Sequence, residues 1–357
     1  SLENIQRRSR ADIKATSFIT KNSIDDIDLI IINSPDSNRR STFIRGFSTA
    51  RFAFISVWYA LTLKYDVVLA SSGPITVGIP ALAAKWLRRK KMIFEVRDLW
   101  PQGAVELGKI HNQIAKKLAY KFEKICYQNA SLIVSCSDGM NKSIIERFPI
   151  LKTIVIPNAS DVELFSPQTT IIDHKSYQSL KYFVYAGSMG FMDDCIQFMR
   201  AAMQITRDDI KFIIIGEGSE RKYLEAYSKA NQNIKFLGLL PKEEVVLLYR
   251  KAWGSLMTFK NYPVLQTNSP NKMFDSFAAG VPVIQNTQGW IKDLFEAEEC
   301  GLTVPQDDPD KFTEAILLLA DNQSLRNRLA ENAFRIANSM FSREKLAEAY
   351  MHAIESL

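Results

Sequence analysis

The chain has 357 residues, of which 46% are hydrophobic and 24% charged. That size and balance exclude a disordered tail protein, a collagen and a membrane-spanning bundle, and they suit two domains of roughly 150–200 residues each. The net charge of +6 is uneven: residues 1–160 carry 24 Lys and Arg against 13 Asp and Glu, and the remainder carries 21 against 26, so one domain is expected to face an anionic partner.

Taken in chain order, residues 1–27 are polar and hold no strong strand, although Ile13–Thr20 could supply one. A Rossmann-type domain normally begins with a buried strand and a glycine-rich turn. We therefore expect a natural first strand and its loop to be missing from the front of this chain. Ser1-Leu2-Glu3-Asn4 opens no apolar core, so no secretory signal is expected. Apolar β-branched runs follow at 28–33, 66–70, 92–96, 132–135 and 153–156, with helical stretches between them. Within the helical stretch 112–129, Ile114, Leu118, Phe122 and Ile125 mark one face. After the polar stretch 166–180 a second series begins, with strands at 182–185, 212–215, 234–237, 255–258, 281–285 and 302–304. Short continuous apolar strands alternating with helices predict parallel, doubly wound sheets. Two such series predict two α/β domains with a ligand cleft between them, at the carboxyl ends of the strands.

Between Arg39 and Tyr65, basic residues (Arg39, Arg40, Arg45, Arg51, Lys64) interleave with Phe43, Phe47, Phe52, Phe54, Trp58 and Tyr59. A helix of that composition can lie in a membrane interface, or it can be a core helix with a basic rim. Its apolar core, from Ala50 to Leu63, is shorter than the roughly 20 residues a spanning helix needs.

Several strand ends carry residues suited to chemistry. Gly73 lies in Ser71-Ser72-Gly73-Pro74, a helix start fit for an anion or for a turn. Arg97 and Asp98 follow the strand ending at Val96, as a reactive pair or as a loop lock. Gly187 and Ser188 lie in Ala186-Gly187-Ser188-Met189-Gly190, where small residues let a phosphate approach the backbone or simply make a tight turn. Gly216-Glu217-Gly218 follows the next strand in the same way. The most informative run is Thr267 to Ile284. Ser269 reads as an N-cap and Pro270 as the first turn of a helix ending at Gly280. Amides near 270–272 and the charge of Lys272 would hold an anion, and Asp275 one turn on could accept from a ribose diol. A capped structural helix is the competing reading.

Four scattered cysteines (Cys126, Cys136, Cys195, Cys300) without CxxC spacing read as buried thiols of a reducing compartment, and three distant histidines argue against a metal centre. Asp26-Ile27-Asp28 and Asp308-Pro309-Asp310 are rejected as metal sites because neither follows a buried strand. No nucleic-acid motif is present.

Four stretches together resemble retaining GT-B glycosyltransferases of glycosyltransferase family four, and more narrowly the bacterial O-antigen and capsule enzymes of the N-acetyl-fucosaminyltransferase type. They are IPNASDVELFSP (156–167), EVRDLWPQGAVELG (95–108), YAGSMG (185–190) and SPNKMFDSFAAGVPVI (269–284). The resemblance implies a GT-B fold of two Rossmann-like domains facing a cleft. Residues 1–165 would bind acceptor, residues 166–340 nucleotide-sugar, and a helix over 341–357 would pack back on the first domain.

It also implies a donor site of Gly187, Ser188, Glu217, Leu239, Leu240, Ser269, Pro270, Asn271, Lys272 and Asp275. Leu239 and Leu240 would hold the uracil, Asp275 the ribose, and Lys272 the diphosphate, assisted by the amides of Gly187, Ser188 and Asn271. Thr267 stands where the family's E-x7-E motif has its first Glu. Met189 to Asp194 contains neither the Arg nor the Lys that many members carry there. Arg97 and Asp98 fall near the transferred sugar, with Gly73 and Trp100 on the acceptor side. The implied reaction uses a UDP-sugar and no metal or cofactor. It would act on a polyprenyl-pyrophosphate-linked glycan at the inner face of the cell membrane. A sugar-nucleotide epimerase or hydrolase and a non-catalytic sugar-binding protein are the alternatives.

Overall fold

A computed structural model describes residues 19–24, 26–32, 42–165 and 181–357. Its strands are β1 (Ile19–Ile24), β2 (Ile27–Ile32), β3 (Val67–Ser72), β4 (Lys91–Val96), β5 (Leu132–Ser135), β6 (Thr153–Val155), β7 (Lys181–Ala186), β8 (Ile210–Ile215), β9 (Ile234–Gly238), β10 (Gly254–Met257), β11 (Val283–Gln285) and β12 (Gly301–Thr303). They form a two-stranded sheet, a four-stranded sheet of order β3-β4-β5-β6 and a six-stranded sheet of order β12-β11-β10-β7-β8-β9. By contacts, the chain divides into two compact units. One takes the chain up to Pro101 with Asn112–Val134 and Leu357, the other Gln102–His111 with Ser135–Ser356.

In the first unit the expected strand at 28–33 is present as β2, but it does not join a parallel sheet. It pairs antiparallel with β1, Ile24 opposite Ile27. The reason is the tight connection through Asp26, whose φ of 63° is the left-handed conformation short hairpins need and Asp tolerates. β3 and β4 pair in parallel. The helix Gly78–Arg88 packs against the helix Gln113–Asn129 so closely that a Cβ on Gly78 would lie 2.4 Å from Cys126 Sγ. The apolar face expected over 112–129 is not a core face along its whole length. Its first turns leave Ile114 and Leu118 exposed, and burial falls instead on Glu123, Cys126 and Tyr127.

In the second unit the six-stranded sheet is buried on both faces, which is why its strands read as continuous apolar runs rather than alternating ones. Phe183, Tyr185, Phe212 and Ile214 enter one cluster, with Leu256, Ile284 and Leu319. Tyr182, Val184, Ile213 and Ile215 enter the other, with Val246 and Ala278. The two-residue period of a strand divides neighbours between the two faces. The pairings of β7 with β8 and β10, and of β11 with β10 and β12, are all parallel. Numbered within the sheet, the order is 3-2-1-4-5-6, so the strand order reverses between β7 and β10. Ligands of open α/β sheets bind outside the carboxyl ends of the strands at that reversal. The turn after β7 stands there.

Candidate functional site

The turn after β7 is built by backbone contact. Gly187 N donates to Ile215 O (3.0 Å), Met189 N to Glu217 O (2.9 Å) and Glu220 N to Met189 O (2.9 Å). Thus Ala186–Gly190 lies directly on Gly216–Glu220. A Cβ on Gly216 would fall 1.9 Å from Gly187 O, and one on Gly218 would fall 2.1 Å from Met189 O. Gly216 also has φ +129°. Both glycines are required by this contact. The Gly187 amide, expected to face a phosphate, is instead spent on Ile215. Gly216 N in turn donates to Gly238 O (2.8 Å), which brings the end of β9 into the same rim. Leu239 follows, exposed, and Leu240 packs on the second core cluster. Glu217 is exposed and paired with Arg221.

The helix Asn271–Ala278 supplies the rest. It begins one residue later than expected, with Pro270 at the cap position and no side-chain cap. Ser269 is therefore not the N-cap; its Oγ is buried with no hydrogen-bond partner. An uncapped helix start leaves its first amides free to serve an anion. At the other end Gly280 takes φ +65°, the expected left-handed stop.

The segment leading into this helix is anchored by its backbone. Val264 N donates to Glu106 Oε2 (2.8 Å), and Thr267 O accepts from Ser137 Oγ (2.5 Å). Asn268 O accepts from Trp290 Nε1 (2.8 Å), Ser269 O from Asn158 Nδ2 (2.7 Å) and Phe274 O from Ser160 Oγ (3.0 Å). Asn158 and Ser160 belong to the IPNASD run, so that motif acts on the helix start. The Thr267 hydroxyl donates to Val264 O (2.7 Å). It closes its own turn and does not project a charge as a glutamate would.

Lys272 reaches back from the helix to the β7 turn. Its Nζ donates to Asp193 Oδ1 (2.9 Å) and Tyr185 OH (2.9 Å), and its side chain is only 10% exposed. The ring centroids of Tyr185 and Phe259 lie 4.5 and 5.2 Å from it. A Cβ on Gly187 would come within 3.2 Å of Nζ, so the ammonium lies directly beneath that glycine. Asp193 Oδ2 accepts from Ser188 Oγ (2.5 Å) and Gly190 N (3.1 Å), tying the turn to the same carboxylate. Burial pushes the Cys195 thiol up to about 12 against the pull of Lys272, and burial raises the Tyr185 hydroxyl well above its ordinary value. Beside this group Lys260 pairs with Asp194 (3.2 Å), and burial raises the Glu220 carboxyl despite Lys260. Asp275, one turn along, is half-buried.

Of the residues expected from the sequence, Gly187, Ser188 and Lys272 come together here, and Asp193, Tyr185 and Phe259, which the sequence does not single out, join them. Nothing in the sequence couples an aspartate at 193 to a lysine at 272.

In the first unit, Gly73 is exposed with open space where a Cβ would lie. Arg97 and Asp98 follow the end of β4, and Ser72 Oγ accepts from Arg97 N (3.1 Å). Desolvation raises the Asp98 carboxyl, opposed by Arg97. Trp100 is half-buried beside the buried Leu99. Asp308 caps the helix Pro309–Asp321 through Lys311 N, and Asp310 accepts from Gln204 Nε2.

Residues 11–164 match the family described as Glycosyltransferase Family 4, and residues 181–322 match Glycosyl transferases group 1. The chain belongs to the GT-B glycosyltransferases of group 1 and family 4. A putative glycosyltransferase of Bacillus subtilis, YtcC, is 24% identical over 260 residues, covering 65% of this chain but only 62% of its own length. The UDP-Gal:alpha-D-GlcNAc-diphosphoundecaprenol alpha-1,3-galactosyltransferase of Escherichia coli is 24% identical over 260 residues, 67% of this chain and 65% of that protein. Sucrose-phosphate synthase from Thermosynechococcus elongatus shares the fold with a TM-score of 0.72 at 16% identity, over 96% of this chain and 86% of its own. The GT-B fold is thus common to chains of very different sequence.

Replacing Gly216 by Ala tests the backbone contact that shapes the β7 turn. Steric overlap with Gly187 O and the positive φ should together cost about 2 kcal/mol or more, read as a lower urea midpoint. An unchanged midpoint would mean the two turns do not touch as described.

Proposed function

We propose that this chain moves a sugar from a UDP-sugar to a polyprenyl-pyrophosphate-linked glycan, with retention at the anomeric carbon. One observation carries the reading: the Lys272 ammonium lies beneath Gly187, on the first turn of a helix that no side chain caps. Full charge and helix amides converge where the strand order of the sheet reverses, which suits a diphosphate. In support, the Escherichia coli relative is named for a UDP-sugar donor and a diphosphoundecaprenol-linked acceptor.

In this reading Lys272 and the amides of Ser188 and Asn271 stabilise charge on the departing UDP. Asp275 accepts from the ribose diol, Leu239 and Leu240 hold the uracil, and Glu217 and Pro270 complete the donor site. Thr267 uses its hydroxyl on Val264, so Ser269 or Asn271 takes over the sugar hydroxyls, and of the two Asn271 is exposed. Arg97 and Asp98 serve the transferred sugar, and Gly73 and Trp100 the acceptor. The anomeric carbon–phosphate oxygen bond breaks and the bond to the acceptor oxygen forms on the same face. The acceptor proton passes to the departing phosphate oxygen. Prearranged donors on that phosphate supply the largest catalytic term, and the proposal routes no step through a metal or cofactor. An N-acetylated hexosamine or deoxyhexosamine is the sugar suggested by the sequence resemblance, and O-antigen or capsule synthesis the setting.

The acceptor's lipid places the enzyme at the inner membrane face. Among the described residues no helix is long and apolar enough to cross a membrane. The helix Thr42–Thr62 exposes Phe54 (79%) and Trp58 (66%) one turn apart, and the helix Gly78–Arg88 exposes Trp86 and Leu87, followed by the exposed Arg89 and Lys91. Aromatic side chains beside basic ones suit an anionic lipid surface. Arg39 and Arg40 lie outside the described residues, as do the side chains of Phe43, Arg45 and Phe47.

Lys272→Ala should lower transfer from a UDP-sugar to a lipid-linked acceptor by more than tenfold; normal turnover would remove Lys272 from the mechanism. Consumption of UDP-sugar without any acceptor would favour the epimerase or hydrolase alternative. Vesicles rich in anionic lipid should co-sediment the protein, and Phe54→Asp with Trp58→Asp should abolish most of that binding. A protein that ignores such vesicles would refute the membrane assignment.

A further inference from the structure

We infer that Asp193 is an electrostatic counterweight to Lys272, a positioning residue that loosens the site's grip on a nucleoside diphosphate. The inference rests on the donor-site reading above.

Lys272 is enclosed by two aromatic rings and the Gly187 turn. An ammonium withdrawn from water in this way needs a partner. Asp193 Oδ1 supplies one at 2.9 Å, and the other oxygen of the same carboxylate holds Ser188 and Gly190. The pair therefore fixes the lysine and the turn together.

The same carboxylate is a negative charge beside a site meant for a more negative ligand. An arriving diphosphate competes with Asp193 for Lys272 and is repelled by it. Like charges a few ångströms apart in a largely buried place are screened far less than on an open surface. The repulsion acts on donor and released UDP alike. Its useful consequence is faster loss of product, a step that limits many enzymes.

Asparagine at 193 separates the two roles. Its carbonyl can keep the bonds from Ser188 and Gly190, which turns its NH₂ toward Lys272 and leaves the ammonium free for phosphate. A purely structural aspartate would show weaker UDP binding when replaced; a counterweight shows the opposite.

The experiment is a calorimetric titration of UDP into the wild-type protein, Asp193→Asn and Asp193→Glu at low ionic strength. Asp193→Asn should bind UDP at least fivefold tighter and show stronger UDP product inhibition, whereas Asp193→Glu should stay near wild type. Should asparagine destabilise the fold, Asp193→Ser removes the charge while leaving an acceptor for Gly190, and carries the same expectation. UDP binding that is equal or weaker in the charge-removed variants would overturn the counterweight. No UDP binding by the wild-type protein would instead defeat the donor-site reading, and this inference with it.

Discussion

The site depends on holding one ammonium in a nearly water-free place. Lys272 starts on a helix of the second unit and ends under the turn that follows β7. An isolated buried charge of this kind is costly unless it is both paired and hydrogen-bonded. The structure meets that demand with Asp193, Tyr185 and two ring faces. Asp193 also ties down Ser188 and Gly190, so the position of the charge and the shape of the turn are one interaction rather than two.

Everything around that interaction serves to place its two ends. The strand order reverses between β7 and β10, which opens space at the carboxyl end of β7. Gly216 and Gly218 let the neighbouring turn press against Gly187 and Met189 without side chains in the way. On the other side, Asn158, Ser160, Ser137 and Trp290 fix carbonyls of the segment that leads into and begins the lysine-bearing helix. These are neutral hydrogen bonds, each worth only about 1 kcal/mol net, but together they fix where the helix starts.

Much of this was legible in the sequence, for identifiable reasons. β3 to β12 could be placed to within a residue or two, most of them because strands buried on both faces read as apolar runs; β3 was placed by its Val-Val-Leu-Ala run although Leu69 and Ser71 are exposed. Gly280 marked the helix end because only a left-handed residue suits it. The start of that helix was misread by one residue, since Ser-Pro is compatible with serine or proline at the cap and propensity does not choose between them. β2 was placed correctly but its partner was not, because an apolar strand does not reveal its neighbour; the Asp26 turn does. The face of 112–129 was misjudged because helical periodicity identifies an apolar stripe without saying what covers it, and Ile114 and Leu118 are left exposed. Asp193 was illegible for a different reason. Its importance comes from a contact with a residue 79 positions away, and no local pattern records that.

The claim most in need of a direct test is that the second unit holds a uridine diphosphate. The decisive measurement is a thermal-shift comparison of UDP, GDP, ADP and NAD without added metal, on the wild-type chain and on Asp275→Ala. A ligand at a hundred times its dissociation constant stabilises a fold by about 2.7 kcal/mol, well within reach of the method. The account predicts a shift with UDP alone, lost in Asp275→Ala. Equal shifts with all four ligands, or none with UDP, would contradict it.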